Sequence, residues 1–133
     1  MDLSRPTVCP TQRYADAPAA IRFLTEAFGL TESLVVPGPD GTIAHAELSW
    51  GSGVIMLGSA TDGSDGGLAA HTGPTWFYLV VDDPDAHYRR AVAAGADIVQ
   101  ELKDDDSGSR GYTARDPEGS LWTFGTYQPA PAR

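Results

Sequence analysis

Apolar residues recur at three- and four-residue spacing in two stretches of the chain and alternate with polar ones through most of the rest. In the first stretch Ile21, Leu24 and Phe28 fall at i, i+3 and i+7 with Ala20 and Ala27 beside them, while Arg22, Thr25 and Glu26 lie off that stripe. Asp16 stands before it as an N-cap, Pro18 falls in the first turn, and Gly29 suits the left-handed position past its end. The second stretch opens on Asp83 as cap, with Pro84 at the first helical position, where a missing N–H costs nothing. Its apolar stripe reads Tyr88, Ala91 and Val92, His87 falls on the polar side, and Gly95 ends it.

Alternating runs around these helices predict strands at 7–14, 34–36, 42–50 and 54–59, then at 76–81, 97–102, 109–115 and 121–127. Pro10 places the first at an edge or a bulge. Gly51-Ser52-Gly53 and Asp116-Pro117-Glu118-Gly119 read as turns, the latter with proline and glycine where a type I turn wants them. The order strand, helix, three strands therefore occurs twice. An ungapped offset of 67 positions aligns the halves: Asp16 meets Asp83, Arg22 meets Arg89, Gly41 meets Gly108 and Gly58 meets Gly125. The expected organisation is one domain over 1–133. It comprises a module at about 7–59, a Gly/Ser/Thr-rich linker at 60–75, a module at about 76–127 and a flexible tail at 128–133.

Composition narrows the class of partner. A net charge of −9 repels nucleic-acid phosphates and anionic lipid, and no Lys/Arg cluster offsets it, so neither is an expected partner. No apolar run approaches a membrane span, and the N-terminus lacks an apolar signal core. The single cysteine, Cys9, excludes an intramolecular disulfide and points to a reducing cytoplasm.

Four segments carry a family resemblance: YADAPAAIRFLTEAFGL (14–30), HAELSWGSGVIMLG (45–58), YLVVDDPDAHYRRAVAAGA (78–96) and RGYTARDPEGSLWTFGTY (110–127). Through them the chain resembles the vicinal oxygen chelate superfamily, which includes glyoxalase I, ring-cleaving dioxygenases and bleomycin-resistance proteins. The resemblance implies an α+β fold of tandem βαβββ modules forming a curved mixed sheet around a concave pocket, and a homodimer. It also implies metal ligands on the first and last strand of each module. Counting to those positions reaches Cys9, Met56, Trp76 and Thr123. A thiol, a thioether, an indole and a hydroxyl do not make the three imidazole, carboxylate or thiolate donors that a catalytic divalent ion requires. The expectation is therefore a metal-independent branch with no cofactor.

His45 and Glu47 stand two apart on one strand and so share a face, which the alternation of Ala44, Ala46 and Leu48 aims into the concavity. Trp76 and Tyr78 share a face in the same way and suit a flat conjugated ligand. Trp50 is placed at the rim, Tyr112 on the wall as the repeat partner of His45, and Cys9, Thr11, Met56 and Thr123 among the ligand-facing positions. The leading expectation is a non-enzymatic protein that sequesters an aromatic small molecule such as an antibiotic, cationic or neutral. The alternative is a metal-independent isomerase or lyase that moves a proton through Glu47 or His45.

Overall fold

A computed structural model describes residues 1–62 and 73–132. Most of the expected linker, His71 and the reading of that linker as a lid lie outside these residues. In chain order the protein forms β1 (Thr11–Tyr14), α1 (Ala17–Glu26), β2 (Thr31–Pro37), β3 (Ile43–Trp50), β4 (Gly53–Ser59) and β5 (Trp76–Val80). It continues with α2 (Pro84–Ala93), β6 (Asp97–Asp104), β7 (Arg110–Arg115) and β8 (Leu121–Gly125). The α+β class and the duplicated βαβββ order are as expected. The strands make two four-stranded mixed sheets, ordered β1-β4-β3-β2 and β5-β8-β7-β6, rather than one continuous sheet. In each, the first strand runs parallel to the last and the other pairs are antiparallel. β1 begins four residues later than expected because Pro10 has no N–H to offer a ladder, although its carbonyl still accepts from the Met56 amide at 2.9 Å.

Local chemistry sets the helices. The carboxylates of Asp16 and Asp83 accept from the amides of Ala19 and Ala86 at 3.1 and 3.0 Å, each cap stabilising its helix by about 1 kcal/mol. Gly29 and Gly95 follow the two helices with φ of 81° and 83°, the left-handed region that a side chain disfavours. The α1 stripe is buried as expected. On α2 the expectation needs correction: Ala91 is buried, but Val92 is 46% exposed and His87 faces inward instead. The helix can turn this way because both imidazole nitrogens find partners, which removes most of the cost of burying a polar ring.

The ladders also correct the ungapped repeat. Thr11 lies opposite Met56 and Tyr78 opposite Thr123, an offset of 67. Glu47, however, also lies opposite Met56, and its counterpart opposite Thr123 is Thr113, an offset of 66. The slip enters at the helix ends, where Gly29 answers to Gly95, and is restored by the longer turn between β7 and β8. One residue of slip moves a strand position to the other face. Tyr112 therefore does not match His45, whose counterpart is Gly111.

The two modules share one core. Phe28, at the exit of α1, sits between them with its ring 4.8 Å from Phe124 and 5.7 Å from Trp122. The Tyr14 hydroxyl crosses to the buried Asp116 carboxylate at 2.7 Å, and the Trp50 indole N–H crosses to the Val80 carbonyl at 2.7 Å. Glu118 accepts from the amides of Ala15 and Asp16, while the Arg90 guanidinium donates to the α1 carbonyls of Glu26 and Thr25.

His87 closes this junction. The Phe28 carbonyl only accepts, so Nε2 carries the proton and donates to it at 2.7 Å; Nδ1 then accepts from the Tyr112 hydroxyl at 2.6 Å. Burial holds the imidazole pKa below its ordinary 6.5, and the nearby Arg90 charge pushes the same way against the Phe28 hydrogen bond. Below that pH the unfolded chain binds a proton that the folded protein resists. Stability is thus full above about pH 6.5 and is lost as pH falls. In His87→Gln, whose amide keeps a donor and an acceptor but does not titrate, melting temperature is expected to fall less steeply from about pH 6.5 to 5 than in the wild type. Parallel melting curves for the two proteins would remove His87 from the acid response.

Candidate ligand cleft at the module junction

Strand pairing sorts the expected site residues by face. Across the first sheet Thr11, Met56, Glu47 and Leu34 form one row, flanked by buried Gln12, Leu57 and Ala46. That row therefore lies on the face away from the core. Across the second sheet the equivalent row is Tyr78, Thr123, Thr113 and Gln100, flanked by buried Phe77, Trp122 and Ala114.

On the first open face His45 Nε2 and Glu47 Oε2 are 2.8 Å apart. An ionised carboxylate only accepts, so Nε2 donates and the Nδ1 lone pair is left as the basic atom. On the second, the Trp76 indole N–H donates to Thr123 Oγ1 at 2.8 Å, and that hydroxyl shares a 2.7 Å hydrogen bond with Thr113. Tyr78 lays its ring over Gly125, where a Cβ would stand 2.7 Å from the phenol oxygen, and donates its O–H to the Tyr127 carbonyl at 2.8 Å. Desolvation raises the Tyr78 pKa.

Tyr112 is a correction. It lies on the core face of β7, fully buried, stacked against Phe124 and bonded to His87, and its phenol is raised in pKa chiefly by burial. Its side chain belongs to the junction, not to an open pocket wall. Cys9 precedes β1 as a half-buried free thiol.

A substantial cavity lies elsewhere than over His45 and Glu47. It is a cleft of about 500 Å3 where β4 and the β3–β4 turn approach β5. Trp50, Trp76 and Tyr78 line it together with Val54 and Ile55. Trp76 and Tyr78 present 66% and 45% of their surface to solvent there. Trp50 faces the cleft while its indole N–H is fixed on Val80 and its ring stands edge-on to His87 at 5.6 Å. A smaller hollow of about 260 Å3 lies over the second sheet between Tyr78, Thr123 and Tyr127. The structure thus gathers three expected residues into the cleft and leaves Thr11, His45, Glu47 and Met56 outside it on the open face. Sequence reasoning missed Val54, Ile55 and Asp82 because the cleft is made by the approach of the two modules, which no local pattern encodes.

The metal-ligand positions do not fit an ion. Trp76 and Thr123 are hydrogen-bonded to each other, Met56 offers only a thioether, and among the described residues no three His, Cys, Asp or Glu side chains come together.

The model of the Glyoxalase/Bleomycin resistance protein/Dioxygenase superfamily matches residues 9–124. The chain belongs to that superfamily. An uncharacterized protein from Mycobacterium bovis is 36% identical over 130 residues, covering 90% of this chain and 82% of its own length. Among solved structures, TioX from Micromonospora sp. ML1 superposes with a TM-score of 0.76 at 37% identity, over 94% of this chain and 99% of that one. Glyoxalase I from Zea mays shares the superfamily fold at a TM-score of 0.71 and 20% identity, this chain matching 46% of its length. No helix among the described residues is long and apolar enough to cross a membrane.

Proposed function

We propose that this superfamily member is a cytoplasmic binding protein that sequesters a planar aromatic small molecule, such as an antibiotic, without a metal ion. The observation that carries the reading is the junction cleft, where Trp50, Trp76 and Tyr78, with the more buried Phe77, line a cavity of about 500 Å3. Each ring contributes about 0.5–1.5 kcal/mol of stacking beyond the area it removes from water. A second copy of the chain is the expected partner. The open sheet faces carry Leu34, Val36 and Trp76 at 44%, 41% and 66% exposure, apolar side chains that a partner copy would cover, and sedimentation as a monomer at micromolar concentration would remove this part of the reading.

The test is thermal shift and tryptophan-fluorescence titration against a panel of aromatic antibiotics. At least one is expected to stabilise the wild type. Trp76→Ala is expected to weaken that compound by about tenfold, near 1.4 kcal/mol, with little change in melting temperature because the indole is mostly exposed. A panel that stabilises neither protein overturns the reading. Consumption of a compound instead shifts it to a metal-independent isomerase or lyase, a reading favoured by the 2.8 Å His45–Glu47 pair and its basic Nδ1.

A further inference from the structure

Four aromatic residues, Trp50, Trp76, Phe77 and Tyr78, line the junction cleft, and Asp82 is the one charged residue that lines it among the described residues. Asp82 lies two residues past the end of β5 and is exposed, with no lysine or arginine on the cleft wall to neutralise it. The next residue, Asp83, spends its carboxylate on the α2 N-cap, so the two neighbouring acids have different work. A second hollow shares Trp50, Val80 and Asp82 with the cleft and is bordered also by Asp83 and His87.

Aromatic faces carry negative potential and attract organic cations, most effectively where the cation sheds part of its water against several rings. A carboxylate at the end of such a wall adds a directional Coulomb term, weak in water and stronger beside an apolar surface. The whole protein reinforces the preference, since its net charge of −9 concentrates cations near its surface.

We infer that the junction cleft selects organic cations, a flat aromatic ring bearing a fixed positive charge, and that Asp82 is the residue that sets this preference. The inference rests on the cleft being the ligand site and goes beyond it by choosing the cation over the neutral ligand. Trp50, Trp76 and Tyr78 supply affinity to any flat ring; Asp82 discriminates by charge.

Titration with N-methylacridinium chloride and with neutral acridine at pH 8, followed by tryptophan fluorescence, separates these roles. The cation is expected to bind about tenfold more tightly than acridine in low salt, and the gap is expected to narrow as sodium chloride is raised. Asp82→Asn is expected to weaken N-methylacridinium about threefold and leave acridine unchanged, and Asp82→Lys to remove the preference entirely. Because Asp82 is exposed and makes no cap, both variants are expected to melt with the wild type, which circular dichroism verifies. Equal binding of the two dyes, or loss of both dyes alike in Asp82→Asn, overturns the assignment to Asp82 while leaving the cleft as a binding site. Failure of both dyes to bind the wild type overturns the assignment together with the cleft reading.

Discussion

Asp116→Ala is expected to destabilise the protein by about 3–5 kcal/mol, a large share of the 5–15 kcal/mol that holds a domain of this size together. The carboxylate is 3% exposed and accepts four hydrogen bonds. Oδ1 takes the amides of Glu118 and Ser120, which shape the turn between β7 and β8; Oδ2 takes the Tyr14 hydroxyl at 2.7 Å and the Trp122 indole N–H at 3.0 Å. Alanine leaves two side-chain donors buried without an acceptor, each at a cost of about 1–3 kcal/mol, and loosens the turn as well. Asp116→Asn should fall between, since an amide presents N–H groups to Tyr14 and Trp122 where an oxygen is needed. The measurement is urea unfolding. In a cycle with Tyr14→Phe the double variant is expected to be less destabilised than the sum of the single ones, because removing the hydroxyl first removes one of the orphans. Simple additivity would show that the crossing bond does not couple the modules.

Phe28→Ala is expected to cost about 3–5 kcal/mol as well, by a different route. Phe28 is fully buried and touches Phe23 at 4.9 Å within its own module, then Phe124 and Trp122 in the other. Truncation removes aromatic surface and leaves a void that neither module can fill alone. The carbonyl of the same residue receives the His87 proton, so a shift of the α1 exit also disturbs that bond. Urea unfolding read by both tryptophan fluorescence and far-ultraviolet circular dichroism checks the result. A loss below about 1 kcal/mol would mean that the modules pack around the wedge rather than through it.

Much of the fold was legible in local chemistry. Asp16, Asp83, Gly29 and Gly95 announce where the helices start and stop because capping and left-handed backbone depend on a few neighbouring atoms. The DPEG turn and the alternation of Trp76, Phe77 and Tyr78 are equally local. The errors come from what lies beyond local pattern. An offset of 67 is right for β1, α1 and the last strands but wrong for β3 and β7, and the single-residue difference moved Tyr112 from the core to the wall on paper. His87 was set on the polar side of its helix because its partners, Phe28 and Tyr112, come from other elements. The open-face row containing Thr11, Glu47 and Met56 could be read from period-two alternation; the cleft beside Trp50 could not, since it belongs to the meeting of two sheets.

Trp50 and Asp116 occupy matching places in the two halves, each at the end of the third strand. A gene duplication would create two such corners with the same potential. Here one has been plugged by a carboxylate that ties down a tyrosine and an indole, and the other has been left ajar beside a tryptophan. The two halves thereby differ at equivalent corners: one ties the modules together and the other borders an open cleft. Substitutions around the open corner are expected to cost less stability than substitutions at the plugged one, where two buried donors depend on a single carboxylate.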